Sequence, residues 1–275
     1  MGREFNVLSA LHPVFPLAPR PLLSCEDPAI IGTPFFIMAL RHGVVVRKTL
    51  PPAFEAAPEA PRLMSEALID ALATLHAVDY GAAGLADLGK PKGFLGRQIE
   101  GWWARWERAR AEDLPEMTEV YSWLQRNRPL SGPAGLVHND FKLDNVMLAH
   151  DDPGKLIAVL DWDMCTLGDP LCDLGNLLTY WIQPDDPPYL QQTAMMPIDA
   201  RFPRREALIE RYAEKSGLDL SDLSFYHALG LYRLTVIMAQ LHVRFRRGQT
   251  RDPRFAALET LIPLTALAAL QVADA

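Results

Sequence analysis

The stretch LVHNDFKLDNVMLA, residues 136–149, carries six polar side chains between two short apolar runs. Within it, His138, Asp140 and Asn145 fit the spacing H-x-D-x-x-x-x-N. Apolar runs of this length suit short buried strands, which would hold the polar residues between them as a loop. The sequence therefore predicts a fixed loop on which imidazole, carboxylate and amide groups meet.

A second acidic segment follows in LIAVLDWD, residues 156–163, where Asp161 ends an apolar run. Phosphoryl transfer asks a protein mainly to position groups and to neutralise charge. One carboxylate must meet the attacking hydroxyl, while Asn and Asp oxygens hold Mg²⁺ on the phosphates. Asp140, Asn145 and Asp161 supply these three groups, so the pattern favours phosphoryl transfer.

Composition excludes several other classes of protein. The 275 residues are 49% hydrophobic and 22% charged, with a formal net charge of −7, which is typical of a globular chain and argues against a nucleic-acid or anionic-membrane surface as the main partner. No apolar run approaches the roughly 18 residues that cross a bilayer. The N-terminus has charges where a signal peptide is apolar. Cys25, Cys165 and Cys172 form no C-x-x-C pair, which favours reduced thiols and a cytoplasmic protein.

Hydrophobic periodicity predicts a largely helical chain with a partly stranded start. Residues 62 onward read as amphipathic helices, interrupted by one short sheet between residues 136 and 161. The start is predicted to contain a helix followed by three short strands, at residues 3–11, 21–25, 34–40 and 41–48.

Four stretches together resemble the aminoglycoside phosphotransferase and choline kinase superfamily, and within it the phosphotransferase-like domain that some acyl-CoA dehydrogenases carry. They are VHNDFKLDNVML (137–148), AVLDWDMCTLGDPLCDLGNLL (158–178), LIDALATLHAVD (68–79), and REFNVLSAL (3–11) followed by PRPLLSCEDPAIIGTPFFIMAL (19–40). The resemblance implies an α+β, protein-kinase-like fold of two lobes. Residues 1–48 would form a partial nucleotide lobe with its hinge, and residues 49–275 a mainly helical lobe.

The resemblance also implies roles for the loop residues. Asp140 becomes the catalytic base, or the group that orients the acceptor hydroxyl. Asn145 and Asp161 become ligands of Mg²⁺. His138 becomes a structural residue of the catalytic loop, and Lys142 matches a lysine that many protein kinases place near the transferred phosphate. Asp163 either assists at the metal or caps the next turn.

On the nucleotide side, the resemblance places the hinge that binds adenine around Met38 and Leu40. Glu4 corresponds to the helix glutamate that pairs with a lysine on a preceding strand. Only three residues precede Glu4, so we expect the chain to start inside the fold, without the glycine-rich loop. Lys48 is a poor substitute because it follows the hinge. The edge left exposed on the N-terminal strands predicts a homodimer formed through that edge.

The implied function is transfer of the γ-phosphate of ATP, with Mg²⁺, to a hydroxyl of a small molecule. The dehydrogenase-associated branch points to a hydroxy acid or a hydroxyacyl thioester more than to antibiotic or choline-type amines. Two alternatives stay open: a non-catalytic pseudokinase that binds a metabolite or partner, and a metal-dependent phosphohydrolase that uses Asp140, Asp161 and Asp163. The helices after residue 181 carry no motif that identifies the acceptor.

Other polar and aromatic residues are predicted to be structural. Asp169 and Asp173 belong to a turn and the start of a helix, where acidic groups are favoured. The tryptophans at positions 102, 103 and 106 have helical spacing, which favours core packing over an acceptor pocket. His76 reads as a satisfied interior or interlobe residue.

Overall fold

The structure, a computed structural model, describes residues 1–130 and 132–274. Its helices and strands follow the chain as α1 (Gly2–Leu11), β1 (Pro21–Cys25), β2 (Phe35–Met38), α2 (Pro52–Glu55), α3 (Ala60–His76), α4 (Phe94–Ala109), α5 (Pro115–Arg126), β3 (Gly135–Val137), β4 (Val146–Leu148), β5 (Leu156–Val159), β6 (Thr166–Gly168), α6 (Leu171–Tyr180), α7 (Pro188–Gln191), α8 (Arg205–Ser216), α9 (Leu223–Arg246) and α10 (Leu258–Ala273). The order is that of an α+β fold, with the predicted helices and the two strands β1 and β2 in place.

The core of the helical part is built around α9, whose 24 residues are buried on most sides. It packs against α4, α5, α6 and α10. Two glycines let α6 and α9 approach closely: a Cβ on Gly175 would lie 2.2 Å from the Tyr226 carbonyl oxygen, and one on Gly230 would lie 2.4 Å from Thr179 Oγ1. The close crossing fixes α6 against α9, the longest helix.

The short strands form three two-stranded antiparallel sheets, β1–β2, β3–β6 and β4–β5. The prediction of one short sheet in the middle of the chain was therefore wrong, because β3 pairs with β6 while β4 pairs with β5. The loop at 138–145 runs from β3 to β4, and the segment at 160–165 runs from β5 to β6. Paired strands at both ends thus bring the two polar segments side by side.

The N-terminal elements attach to this centre through a few contacts. Helix α1 buries Val7, Leu8 and Leu11, and the backbone N–H of Val159 in β5 donates to the Leu17 carbonyl oxygen at 2.8 Å. The sheet β1–β2 covers one side of α1. The face of the sheet that points away from α1 is open. Many large apolar side chains of the sheet are exposed: Leu22, Leu23, Ile37 and Met38, with Leu40 just beyond β2.

The prediction of a third N-terminal strand at residues 41–48 was wrong. This segment pairs with β4 only at one isolated bridge, Val44 with Leu148, which is formed by two backbone hydrogen bonds of 2.8 Å. Gly43 lies against the Leu148 carbonyl oxygen, 2.3 Å from where a Cβ would stand. The chain crosses β4 at a close approach instead of running beside it, so no ladder forms.

Candidate active site

The backbone of the loop after β3 is held by a buried carboxylate. Asp173, in the first turn of α6, is completely buried, and its two oxygens accept the backbone N–H groups of His138 at 2.6 Å and Asn139 at 2.7 Å. Asn139 has a left-handed φ of 68°, a conformation that Asn tolerates. Its Nδ2 donates to the Met164 carbonyl oxygen at 2.9 Å. The loop is therefore fixed both to α6 and to the segment after β5.

His138 joins the two polar segments from inside. Its Nδ1 accepts the Asp140 backbone N–H at 3.3 Å, which leaves the proton on Nε2, where it donates to the Leu160 carbonyl oxygen at 3.0 Å. Burial lowers the pKa of His138 and outweighs the carboxylates of Asp173 and Asp140, which act in the opposite direction. The neutral ring packs against Trp162, with centroids 4.7 Å apart. His138 holds the loop and does not reach its accessible surface.

Asp140 projects from this fixed loop with its carboxylate bound on one oxygen. Oδ2 accepts from Asn145 Nδ2 at 2.7 Å and from Lys142 Nζ at 3.0 Å. Asn145 Nδ2 also donates to the Asp140 carbonyl oxygen at 2.9 Å, so the amide oxygen of Asn145 points away from Asp140. In the described part of the chain, Asp140 Oδ1 accepts no hydrogen bond. One carboxylate oxygen and one amide oxygen are thus left for ligands.

Lys142 stands between carboxylates and an aromatic ring. Burial lowers the pKa of Lys142, but Asp140, Tyr180 and Asp144 together outweigh burial, so the pKa is raised and the ammonium stays charged. Its Nζ lies 4.8 Å from the centre of the Tyr180 ring. The positive charge is consequently fixed beside the carboxylate of Asp140, where an anionic phosphoryl group would be attracted.

A cluster of carboxylates faces this loop from the segment after β5. Burial, a hydrogen bond that the protonated Asp161 donates to Asp163, and the nearby charges of Asp163, Asp140 and Glu4 raise the pKa of Asp161 to about 6. Burial, with Asp163, also raises the pKa of Glu4. Asp161 has a left-handed φ of 67°, which is uncommon outside glycine and concentrates at functional sites. Crowded carboxylates of this kind are stabilised by a bound cation.

Helix α1 brings Glu4 to this cluster. Arg3 donates to the carbonyl oxygens of Asp163 at 3.0 Å and Cys165 at 2.5 Å, which fixes the start of α1 over the segment. Within residues 1–130 and 132–274, Glu4 forms no ion pair with a lysine. The structure thus places Glu4 beside the predicted metal ligands, while the partner that the resemblance implies for it is not among its neighbours.

The oxygen atoms available here fit Mg²⁺. Asn145, Asp161 and Asp163 offer an amide oxygen and two carboxylates, and Mg²⁺ in phosphoryl-transfer sites takes one or two carboxylates together with water and phosphate oxygens. The described residues contain no group of three or more His, Cys, Asp or Glu side chains arranged as a metal site by themselves. The donor set therefore suits a cation that arrives with a phosphate ligand.

Two predicted residues lie at the surface on the N-terminal side. Met38 ends β2 and Leu40 follows it, and both side chains are exposed. The backbone between them is tied to the residue before β1, because the Ala39 N–H donates to the Arg20 carbonyl oxygen at 2.8 Å. Binding of adenine at this hinge stays a prediction, as does the division into lobes at residue 48.

Sequence reasoning missed three contacts that support the site. Asp173 was assigned to the helix start, although its carboxylate holds the loop. His76 extends this contact, since its Nε2 lies 3.3 Å from Asp173 Oδ2 and its Nδ1 lies 2.6 Å from the Tyr212 hydroxyl. Tyr180, at the end of α6, lines a narrow groove beside Lys142 together with Met196. These partners are distant in sequence, so no local spacing signals them.

Comparison with known proteins identifies the family. The model of the phosphotransferase enzyme family matches residues 1–208. Acyl-CoA dehydrogenase family member 11 of Rattus norvegicus is 34% identical over 269 residues, which are 96% of this chain and 34% of that protein. Member 10 of Mus musculus is 30% identical over 250 residues, 90% of this chain and 23% of that protein. The chain thus spans about a third or less of these curated relatives.

Solved structures show the same fold. A protein of Ralstonia eutropha JMP134, provisionally called an aminoglycoside phosphotransferase, superposes with a TM-score of 0.86 at 27% identity and covers 99% of this chain and 82% of its own. A thermostable mutant of aminoglycoside phosphotransferase APH(4)-Ia, solved with AMP-PNP and hygromycin B, gives 0.59 at 14% identity, with 98% and 82% covered. The kinase-like α+β fold and the resemblance to the dehydrogenase-associated domain are confirmed. This chain belongs to the phosphotransferase enzyme family.

Proposed function

We propose that this chain transfers the γ-phosphate of ATP, with Mg²⁺, to a hydroxyl of a small molecule. The observation that carries the proposal is the Asp140 carboxylate, which Asn145 and Lys142 bind on one oxygen while the other stays open. The family supports the class of reaction. The APH(4)-Ia mutant, which binds AMP-PNP and hygromycin B together, supports a nucleotide and a small acceptor as the two substrates.

In the proposed reaction, the acceptor oxygen attacks the γ-phosphorus, and the bond from that phosphorus to the oxygen bridging the β-phosphorus breaks. ADP leaves, and the hydroxyl proton passes to Asp140 Oδ1. Asn145 and Lys142 orient the carboxylate through Oδ2, so Oδ1 is aimed without loss of side-chain entropy at the moment of reaction. Lys142 is close enough to Asp140 to attract the transferred phosphoryl group.

Bound Mg²⁺ would neutralise charge on the phosphates. Asn145 Oδ1, Asp161 and Asp163 would hold it, with Glu4 adding negative charge behind them. The nucleotide would then lie on the side of α1 and the backbone at Met38 to Leu40. The proposal includes a cytoplasmic location, where ATP is abundant and where the three free cysteines stay reduced.

A second candidate is a non-catalytic protein that binds a metabolite in the same groove. It is favoured by one observation: in the described residues, Glu4 meets carboxylates and backbone instead of a lysine that would grip the nucleotide. The metal-dependent phosphohydrolase is not retained as a candidate, because the family model covers the start of the chain as well as the acidic segment.

Nucleotide binding separates the two candidates. Calorimetry with AMP-PNP should show binding that requires Mg²⁺, and Asp161→Asn should lose this Mg²⁺-dependent binding. With ATP and a library of alcohols, Asp140→Asn should keep binding and lose about 10²- to 10⁴-fold in turnover, the usual contribution of a general base. Asp151→Asn, exposed in the turn between β4 and β5, is the matched control. Absence of Mg²⁺-dependent binding at millimolar nucleotide would refute the enzyme and favour the second candidate.

A further inference from the structure

Helix α6 contacts the loop after β3 from both of its ends. Asp173, in the first turn of the helix, accepts two backbone N–H groups at the start of the loop. Tyr180 is the last residue of the helix, and Lys142 Nζ lies over its ring, 4.8 Å from the ring centre. Asp140 stands in the chain between these two points of contact. One helix therefore holds the loop on both sides of the proposed base.

The spacing of the two contacts puts them on one side of α6. Positions 173 and 180 are seven residues apart, which is close to two full turns of an α-helix and about 10 Å along its axis. The helix is itself fixed against α9 by the close approach of Gly175 to the Tyr226 carbonyl oxygen. Rigid helical backbone thus sets the distance between the two supports of the loop.

The ring of Tyr180 is held by apolar side chains of two other helices. It packs against a small cluster in α9 and α10, made of Leu234, Met238 and Leu261. Burial raises the pKa of Tyr180, so the phenol stays neutral. In the part of the chain that the structure describes, the hydroxyl of Tyr180 makes no hydrogen bond. What Tyr180 offers to the loop is therefore its ring.

Lys142 has two carboxylates within its reach. Asp140 and Asp144 both lie close enough to attract its ammonium. Among residues 1–130 and 132–274, Lys142 forms one ion pair, in which Nζ lies 3.0 Å from Asp140 Oδ2. A lysine stem is flexible, so charge alone would let the ammonium move between the two carboxylates. The face of an aromatic ring attracts a cation, more strongly where water is excluded, and the Lys142 side chain is only 12% exposed. The ring of Tyr180 therefore favours the position beside Asp140.

We propose, on the basis of the phosphotransferase function above, that Tyr180 is a positioning residue that holds the ammonium of Lys142 on Oδ2 of Asp140. With Lys142 in this place, the Asp140 carboxylate keeps the rotation that directs Oδ1 to the acceptor hydroxyl. A lysine ammonium has three N–H donors, and Asp140 takes one of them, so donors remain for a phosphate oxygen. Without the ring, Lys142 turns toward Asp144, and both the carboxylate and the positive charge leave their places.

Nuclear magnetic resonance of the chain without substrates tests the contact by itself. Lysine that is isotope-labelled at Cε gives one signal for each lysine, and the ring current of Tyr180 should shift the Hε protons of Lys142 upfield of the others. Lys142→Met assigns this signal by removing it. The upfield shift should persist in Tyr180→Phe, which keeps the ring, and should disappear in Tyr180→Leu.

Steady-state kinetics test what the contact does. With Mg-ATP and an alcohol that the parent chain phosphorylates, Tyr180→Leu should lower kcat about five- to thirtyfold, the loss of a largely desolvated cation–π contact expressed as a rate. The KM for ATP should stay nearly unchanged, because the contact acts on the reacting groups. Tyr180→Phe should restore kcat. Tyr189→Leu is the matched control, since Tyr189 packs against the same apolar cluster, and it should leave kcat unchanged.

A double variant separates positioning from packing. If Tyr180 acts through Lys142, Tyr180→Leu should lower kcat no further in a chain that already carries Lys142→Met, because the ammonium that the ring holds is gone. A ring that only supports the fold would lower kcat by the same factor with and without Lys142. Losses that multiply in the double variant would therefore overturn the inference.

Two further outcomes would also overturn it. The Lys142 signal could keep its upfield shift in Tyr180→Leu, which would show that the ring does not hold the ammonium, whatever the kinetics give. The parent chain could show the upfield shift and yet neither bind Mg-nucleotide nor phosphorylate any alcohol. That result would refute the phosphotransferase, and with it the positioning role, while the contact between Lys142 and Tyr180 would stand.

Discussion

Two regions of the molecule are held together in opposite ways. In the loop region, residues 135–180, buried polar groups fix the backbone, with Asp173 accepting two buried N–H groups. In the N-terminal ribbon, residues 21–38, backbone pairing joins β1 and β2, while Leu23 and Ile37, which lie opposite each other, are 50% and 46% exposed. The region with the candidate chemistry is thus the one whose geometry is most strongly determined.

The difference follows from what each region has to do. A carboxylate that meets a hydroxyl must be held within a fraction of an ångström, and buried hydrogen bonds achieve this because each is costly to break. A two-stranded ribbon is marginal by itself and depends on what covers it. Mutations should therefore affect stability strongly in the loop region and weakly in the ribbon.

The largest effect is expected at Asp173. Asp173→Ala would leave the backbone N–H groups of His138 and Asn139 buried without partners, at about 1–3 kcal/mol each, so the free energy of unfolding should fall by roughly 3–5 kcal/mol. Urea denaturation followed by circular dichroism measures it. Ser24→Ala, exposed in the ribbon, should change it by less than about 0.5 kcal/mol. Equal losses in the two variants would contradict the comparison.

Glycine substitutions should repeat the contrast at a smaller scale. Gly175→Ala places a Cβ 2.2 Å from the Tyr226 carbonyl oxygen and forces α6 and α9 apart, at a cost of about 1–3 kcal/mol. In Gly32→Ala, in the connection between β1 and β2, the added Cβ meets nothing within 4 Å. The expected loss of stability is then only the backbone strain of alanine at a φ of +86°, about 1 kcal/mol. The same denaturation experiment compares them. A larger loss at Gly32 would show that the connection, and not the helix crossing, is the tighter constraint.

Acid should open the loop region through His138. Its pKa is lowered in the folded state by burial, so the unfolded chain takes up the proton more readily. Neutral His138 therefore contributes fully to the free energy of unfolding above the unfolded pKa of about 6.5. This contribution is lost as the pH falls below that value, by at most about 1.4 kcal/mol per pH unit. Hydrogen exchange at the His138 and Asn139 amides, corrected for intrinsic rates, should therefore show an opening equilibrium constant that increases up to tenfold for each unit by which the pH falls. Amides of the ribbon, which contains no histidine, should not follow this slope.

Local patterns in the sequence predicted the loop and the helices, because their signals lie within a few residues. The spacing of His138, Asp140 and Asn145 located the loop, and periodicity located α3, α4 and α5. Strand β6 was missed because its three residues form a strand only by pairing with β3, some thirty residues earlier. The contact of Asp173 with the loop spans 35 residues. In the same way, no local pattern signals that Arg233 in α9 has its Nε buried without a hydrogen-bond partner among the described residues.

The smallest effect on stability, and the only one on assembly, is expected in the ribbon. We propose that two copies associate through the ribbon, because its apolar side chains and open strand edges invite pairing. Replacing Leu23 and Ile37 by Thr keeps strand propensity and should change the free energy of unfolding by less than about 0.5 kcal/mol. Sedimentation at tens of micromolar should show the parent chain as a dimer and the double variant as a monomer. Leu130→Ser, at a position 98% exposed outside the ribbon, should leave the dimer intact. A parent chain that sediments as a monomer would refute the assembly and leave the ribbon as the weakly held region that its exposed side chains indicate.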